Sequence, residues 1–291
     1  MAVLDNTITT GDVAPAISID LIENLATNIR SLQELLGVVD LIPVTVGSQI
    51  KRYTETVGTL NKQTEEGDII PLSEVLQEEA DPIVVTFDLY RKMTTAQAIQ
   101  QSGRQRAIYD TDRALIGEIR KAIKSNFYDA LADGSGTIAD GDTLQEALAN
   151  AWGELSVYFE DYDVSPIYFI NPKDVAKYLG KAQITIQTAF GFDYVENFLG
   201  LGTAIFSPNV EEGTFFATAK ENLRGAVVPA NGEVGQEFDL TSDETGTVGI
   251  THGRALHRGS IETMLLCGVM FFAENLAGVF KGTIGGGAVS A

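Results

Sequence analysis

The run IVVTFDLYRKMTTAQAIQQSGRQRAIYDTDRALIGEIRKAIKSNFYDALADGSGT, residues 83–137, changes its hydrophobic period once, and that change decides the fold class. Ile83, Val85, Phe87 and Leu89 alternate with Val84, Thr86 and Asp88, the two-residue period of a strand over Ile83 to Tyr90. From about Gly103 to Leu131 the period is helical, with Ile108, Leu115, Ile119, Ala122 and Ile123 on one apolar stripe. At about 100° per residue, Arg106, Arg113, Arg120 and Lys124 fall within roughly 40° of one another, broadly opposite that stripe. The helix is predicted to end before DGSGTIADGD, residues 133–142, a turn between two lobes.

Upstream, Leu21, Ile22, Leu25, Ile29, Leu32, Leu35 and Leu36 predict a helix from Asp20 to Leu36, with Asp20 as cap, Glu23 in a box-like position and Gly37 closing it. Residues 1–19 are polar without a clear period and read as an arm that needs a partner. Leu41 to Tyr53 is predicted as a strand, with Val44, Val46 and Ile50 on one face. Residues 54–81 carry too little apolar surface for a core of their own. In residues 62–81 Glu65, Glu66, Asp68, Glu74, Glu78, Glu79 and Asp81 face only Lys62, a net charge of −6. This is a projecting acidic hairpin or a disordered loop.

Downstream, Thr143 and Glu146 form a capping box for a helix to about Phe159, with Leu144, Leu148, Trp152 and Leu155 on one side. Pro166 to Ile170 is a short buried strand, and Asn171-Pro172 caps and starts a helix ended by Gly180. Short strands then alternate with glycine turns: Ala204 to Ser207, Thr214 to Ala219, Gly225 to Val228, Thr247 to Thr251 and Ile261 to Phe272. The class is α+β, without the regular alternation of a doubly wound sheet.

The chain has 291 residues, 44% of them hydrophobic and 21% charged, as a globular protein of one large or two small domains does. Its net charge of −20 disfavours sequence-independent adhesion to nucleic acid or anionic membrane by the molecule as a whole. Cys267 is the only cysteine, which rules out an intrachain disulfide or a cysteine-rich metal site and fits a reducing compartment. The start MAVLDNTITTGDVAPA lacks the features of a signal peptide, and Met264 to Ala273 is too short to span a bilayer, so no membrane association is expected.

Tests for chemistry fail. Asp133, Ser135, Thr137 and Asp140 resemble a calcium loop, but Leu144 stands where the bidentate carboxylate belongs. The terminal run GTIGGGAVSA lacks the lysine of a phosphate loop, and Glu160, Asp161 and Asp163 read as a solvated turn. His252 and His257 lack a nucleophile context, so packing and surface hydrogen bonding are their expected roles, and Cys267 is an inert small hydrophobe. No catalytic, metal or cofactor site is expected, and no enzymatic activity.

The order of elements resembles the major capsid protein of tailed bacteriophages, the Hong Kong 97 type. VTFDLYRKMTTAQAIQQS at 85–102 is similar to the strand entering that family's peripheral domain and the lead into its spine helix, and FYDALADGSGT at 127–137 to the end of that helix. SPIYFINPKDVAKYLG at 165–180 resembles the strand, Asn-Pro and short helix of the axial domain, and FFAENLAGVFKGTI at 271–284 the closing strands. The resemblance implies a subunit that assembles as hexamers and pentamers into an icosahedral shell around packaged DNA. It also implies a division into arm and helix (1–40), extended loop (41–90), peripheral domain with spine helix (91–142), axial domain (143–260), and closing strands and tail (261–291). No long charged helical region precedes the arm, so a separate scaffolding protein is expected, with a portal as further partner. Location in the virion, after assembly in the host cytoplasm, follows. Some members join a loop lysine to a neighbour's asparagine, but Lys51 and Lys62 have no identified acceptor, and no cross-link is expected.

Glu65, Glu66 and Asp68 of the loop and Arg106, Arg113, Arg120 and Lys124 of the helix are the candidate subunit contacts. Opposite charges of this kind steer association and fix register. Packaged DNA and plain solvent are the other candidates for the basic stripe. An encapsulin-like compartment enclosing an enzyme is the alternative function, and an acidic enzyme with a dispersed site a third.

Overall fold

The computed structural model of the chain describes residues 10–38, 40–57, 61, 72, 75–136, 140–160, 164–179, 186–189, 192–242 and 246–285. Helix α1, Thr10–Leu36, begins well before the predicted Asp20, so Asp20 is an interior residue and not the cap. No glycine lies between Gly11 and Gly37, and extending a formed helix costs far less than nucleating one. The predicted stripe residues Leu25, Ile29, Leu32, Leu35 and Leu36 are buried.

Strand β1, Leu41–Pro43, is followed by a turn in which the Ser48 amide donates to the Thr45 carbonyl, and then by β2, Gln49–Val57. The strand predicted over Leu41 to Tyr53 is therefore two. β2 pairs antiparallel with β3, Val75–Val84, and β4 spans Asp88–Thr95. The strand predicted over Ile83 to Tyr90 is thus also divided: residues 85–87 lie between β3 and β4, where Val85, fully buried, bonds the Ser48 carbonyl and the Gly47 amide just before β2.

Thr95 caps α2, Ala96–Arg104, its hydroxyl accepting the Ala98 amide. A π-helical turn, Gln105–Asp110, leads into α3, Thr111–Ala132. The helix predicted from Gly103 is interrupted at its start. Gly103 lies at φ 76°, a conformation that only glycine adopts freely, and the π-turn widens the next turn by one residue. The buried face of α3 is Asp112, Ile116, Ile119, Ile123, Phe127, Tyr128 and Leu131, whereas Leu115 and Ala122 are half-buried.

Helix α4, Leu144–Tyr158, opens on the predicted cap: Thr143 Oγ1 accepts the Glu146 amide, while Glu146 reaches back to the Asp142 amide. Trp152, predicted on the buried side, is exposed; Ala147 and Ala151 lie against the sheet beside Leu144, Leu148 and Leu155 and let the helix approach closely. Next come β5, Pro166–Ile170, and α5, Pro172–Leu179, started as predicted by Asn171, whose Oδ1 accepts the Lys173 amide. There follow β6, Gln187–Ala189, β7, Phe192–Phe198, β8, Gly202–Phe206, β9, Thr214–Ala219, and β10, Leu223–Val227. The last part comprises α6, Glu233–Glu237, β11, Thr241–Ser242, β12, Val248–Ala255, β13, Ser260–Cys267, β14, Val269–Ala273, and β15, Phe280–Thr283.

These strands form sheets ordered β1-β10-β14, β11-β12-β13-β4 and β15-β9-β5-β8-β7-β6, besides the β2-β3 hairpin. The predicted strand Ile261 to Phe272 is divided at Gly268, where the chain passes from one sheet to another. A Cβ there would stand 2.7 Å from Val228 Cβ, so any larger residue collides at the crossing.

Two apolar cores flank the six-stranded sheet. Alternation along β5 sends Ile167 and Phe169 into one, with α1 and α3, and Tyr168 and Ile170 into the other, with α4 and α5. Phe127 is the hub of the first, edge-on to Tyr128, Phe169 and Phe271 at centroid distances of 5.4, 5.3 and 6.4 Å.

Candidate assembly surfaces and a buried charge cluster

Among the described residues neither core draws a member from the β2-β3 hairpin. Its register runs from Gln49↔Val84 to Val57↔Val75 with one irregularity between Ile50 and Arg52. Among the described residues neither strand pairs with any other, so both outer edges present unpaired backbone groups. Nine residues of β2 extend about 30 Å. An isolated two-stranded hairpin is marginal in water. Glu65, Glu66, Asp68 and Lys62 lie outside the described residues, as do Asp161, Asp163 and the tail after Gly285.

The four basic residues of the predicted stripe do not share one environment. Arg106 and Arg113 are exposed, and among the described residues neither meets a carboxylate within ion-pair distance. Arg120 and Lys124 are half-buried, and Phe192, the first residue of β7, lies against Lys124 and Tyr128 of α3. The Lys124 ammonium lies 3.9 Å from the Phe192 ring centroid. Burial, and then the Arg120 charge, hold its pKa below the ordinary lysine value. The exposed stripe is therefore corrected to Arg106 and Arg113. Arg106 also sits inside the π-turn, which rotates it out of register with the residues of α3.

Sequence reasoning missed a third feature. Asp112, 1% exposed, projects from the first turn of α3 onto the β4-β13-β12 sheet. Its Oδ1 lies 2.6 Å from Lys92 Nζ and its Oδ2 3.2 Å from His252 Nε2. Burial pushes its carboxyl up, but the His252 hydrogen bond and the Lys92 bond and charge outweigh it and hold the group below the usual carboxylate range. Lys92 Nζ also donates to Ile108 O at 2.8 Å and Thr111 Oγ1 at 2.5 Å. His252 thus exceeds its expected role as a surface hydrogen-bonding group: it joins a sheet to a helix.

Ion pairs elsewhere are structural. Asp174 Oδ2 accepts the Gly213 amide and its Oδ1 pairs with Lys177, which with Lys173 also holds Glu212, fixing α5 to the loop before β9. Asp140, from the failed calcium pattern, accepts the Thr283 amide and hydroxyl. Among the described residues no group of three His, Cys, Asp or Glu side chains is arranged to hold a metal, and no helix is long and apolar enough to cross a membrane.

No family model and no curated protein matches the sequence. Solved structures match over nearly the whole chain. A chain of Gordonia phage Cozz is 10% identical, with 86% of this chain and 85% of that one covered and a TM-score of 0.55. A chain of Mycobacterium phage Patience is 12% identical, covering 96% and 90%, with a TM-score of 0.51. The capsid chain of an empty GTA particle is 10% identical, covering 87% and 89%, with a TM-score of 0.50. This chain shares its α+β fold with these two phage chains and with the GTA capsid chain.

Proposed function

We propose that the chain is the structural subunit of an icosahedral phage head, self-assembling as hexamers and pentamers into a shell around packaged DNA. The β2-β3 hairpin carries this reading: it is long and two-stranded, and among the described residues it pairs with no other strand and lends no member to either core, which suits an element that gains its buried surface on another subunit. The fold shared with a GTA capsid chain supports it. Residues 41–90 then form the extended loop, 91–142 the peripheral domain, 143–260 the axial domain, and 1–40 and 261–291 the arm and the closing segment. Arg106 and Arg113 meet the acidic run around Glu65, Glu66 and Asp68 of a neighbour. A scaffolding protein and a portal are the expected partners during assembly in the bacterial cytoplasm. DNA is enclosed without sequence-specific binding, since a net charge of −20 limits adhesion of the polyanion to the wall.

Negative-stain microscopy of the purified chain, with and without scaffold, tests the proposal. Closed shells or capsomers are expected. A globular monomer as the sole species with scaffold present refutes it, and shells purified with an enzyme cargo in place of DNA move the chain to the compartment class.

A further inference from the structure

Strand pairing places Lys92, Thr263 and His252 in one row across β4, β13 and β12, and Asp112 of α3 sits on that row. The cluster does more than bridge helix and sheet, because the acceptors of Lys92 lie at the end of the π-turn. In a π-turn the backbone ladder slips by one residue, and carbonyls at its end lose their α-helical donors. Side chains take over here. Lys92 Nζ and Thr111 Oγ1 donate to Ile108 O, which also accepts the Thr111 amide, while Thr94 and Thr111 hydroxyls donate to Ala107 O at 3.3 and 2.9 Å. The Lys92 ammonium stays there because Asp112 neutralises it, and His252 holds the other carboxylate oxygen.

We infer that residues 105–110 are a two-register joint. The segment is a π-turn while Lys92, Asp112 and His252 hold together, and an α-helix when they part. The slack of one residue passes into Gly103, which has φ 76° and open space around its Cβ position, so the chain absorbs it there. The switch turns α2 and Arg106 about the axis of α3. Its use rests on the shell reading, since five-fold and six-fold positions require one chain to fit two environments; the joint itself is a property of the single subunit.

The test uses pairs of histidines as a register gauge on unassembled full-length subunits, read by Ni²⁺ affinity. Gln105→His with Asp110→His places two imidazoles five residues apart, on one side of a π-turn and on opposite sides of an α-helix. Lys121→His with Ser125→His, four apart in α3, is the control. The expected result is that Lys92→Met weakens Ni²⁺ binding by the 105/110 pair at least tenfold and leaves the control pair unchanged. Equal affinity with and without Lys92→Met overturns the inference, as does a 105/110 pair that binds no better than either single histidine. If Lys92→Met also abolishes binding by the control pair, the fold is lost and His252→Gln decides: a loss of at least threefold confined to the 105/110 pair supports the joint, and no loss overturns it. None of these outcomes depends on whether shells form.

Discussion

Deleting residues 56–79 removes the outer end of the β2-β3 hairpin and leaves Gln49 and Ile50 opposite Val84 and Ile83. Among the described residues neither apolar core draws a member from the hairpin, so the deletion takes no apolar surface out of either. The connection between the hairpin's roots becomes about threefold shorter, and loop-closure entropy then favours the folded state by about 1 kcal/mol. The lost ladder offsets this, because an isolated hairpin is itself marginal. Stability of the subunit is therefore expected to change by no more than about 1 kcal/mol, while shell formation is abolished. Urea unfolding of unassembled subunits measures the first quantity, and sedimentation velocity with scaffold present measures the second. Normal shells from the deletion end the assignment of the hairpin to the subunit contact. A destabilisation above about 3 kcal/mol shows that the hairpin belongs to the body, since only loss of packing or of a buried network reaches that size.

Four further outcomes are expected. Phe127→Ala, at the aromatic hub, lowers unfolding free energy by about 3–5 kcal/mol in urea titration, and a loss under about 1 kcal/mol contradicts the packing described. Arg106→Glu with Arg113→Glu impairs assembly without DNA, and Glu65→Lys with Glu66→Lys partly restores it; normal empty shells with failed packaging assign the pair to the genome. Asp112 has its pKa lowered in the fold, so its stabilising contribution is complete above about pH 4 and fades as pH falls through the folded value. The urea midpoints of wild type and Asp112→Asn are expected to differ at pH 6 and converge towards pH 2.5, and a constant gap refutes the assignment. Boiled shells run as a single 31.3 kDa band, and a ladder of multimers reveals a covalent bond that Lys51 or Lys62 supplies.

Features set by neighbouring residues were legible in the sequence. The Thr143 cap, the Asn171-Pro172 start and the short buried strand over 166–170 depend on residues within a few positions, and each stands as read. The departures share a different cause. Gly268 looks like an ordinary member of an apolar strand until Val228 is brought against it, and Trp152 fits a helical stripe until two alanines prove to be the packing face. The π-turn at 105–110 ends on a carbonyl, that of Ile108, bonded by Lys92, a residue of another element. The Asp112 cluster was invisible for the same reason: His252 lies 140 positions from its partner, and a lone histidine and a lone aspartate carry no local signal of each other. The basic stripe was right in its angles on an ideal helix, but angle alone does not tell which of its residues Phe192 of β7 lies against.

The passage of the chain through Gly268 also bears on when the molecule becomes competent. β13, β14 and β15 each enter a different sheet, so residues 260–283 supply a strand to three of them in quick succession. None of these three sheets has all its strands until residues 260–283 are in place. A chain cut before this segment therefore leaves three sheets incomplete at once, although it keeps α1, α3 and the middle strands.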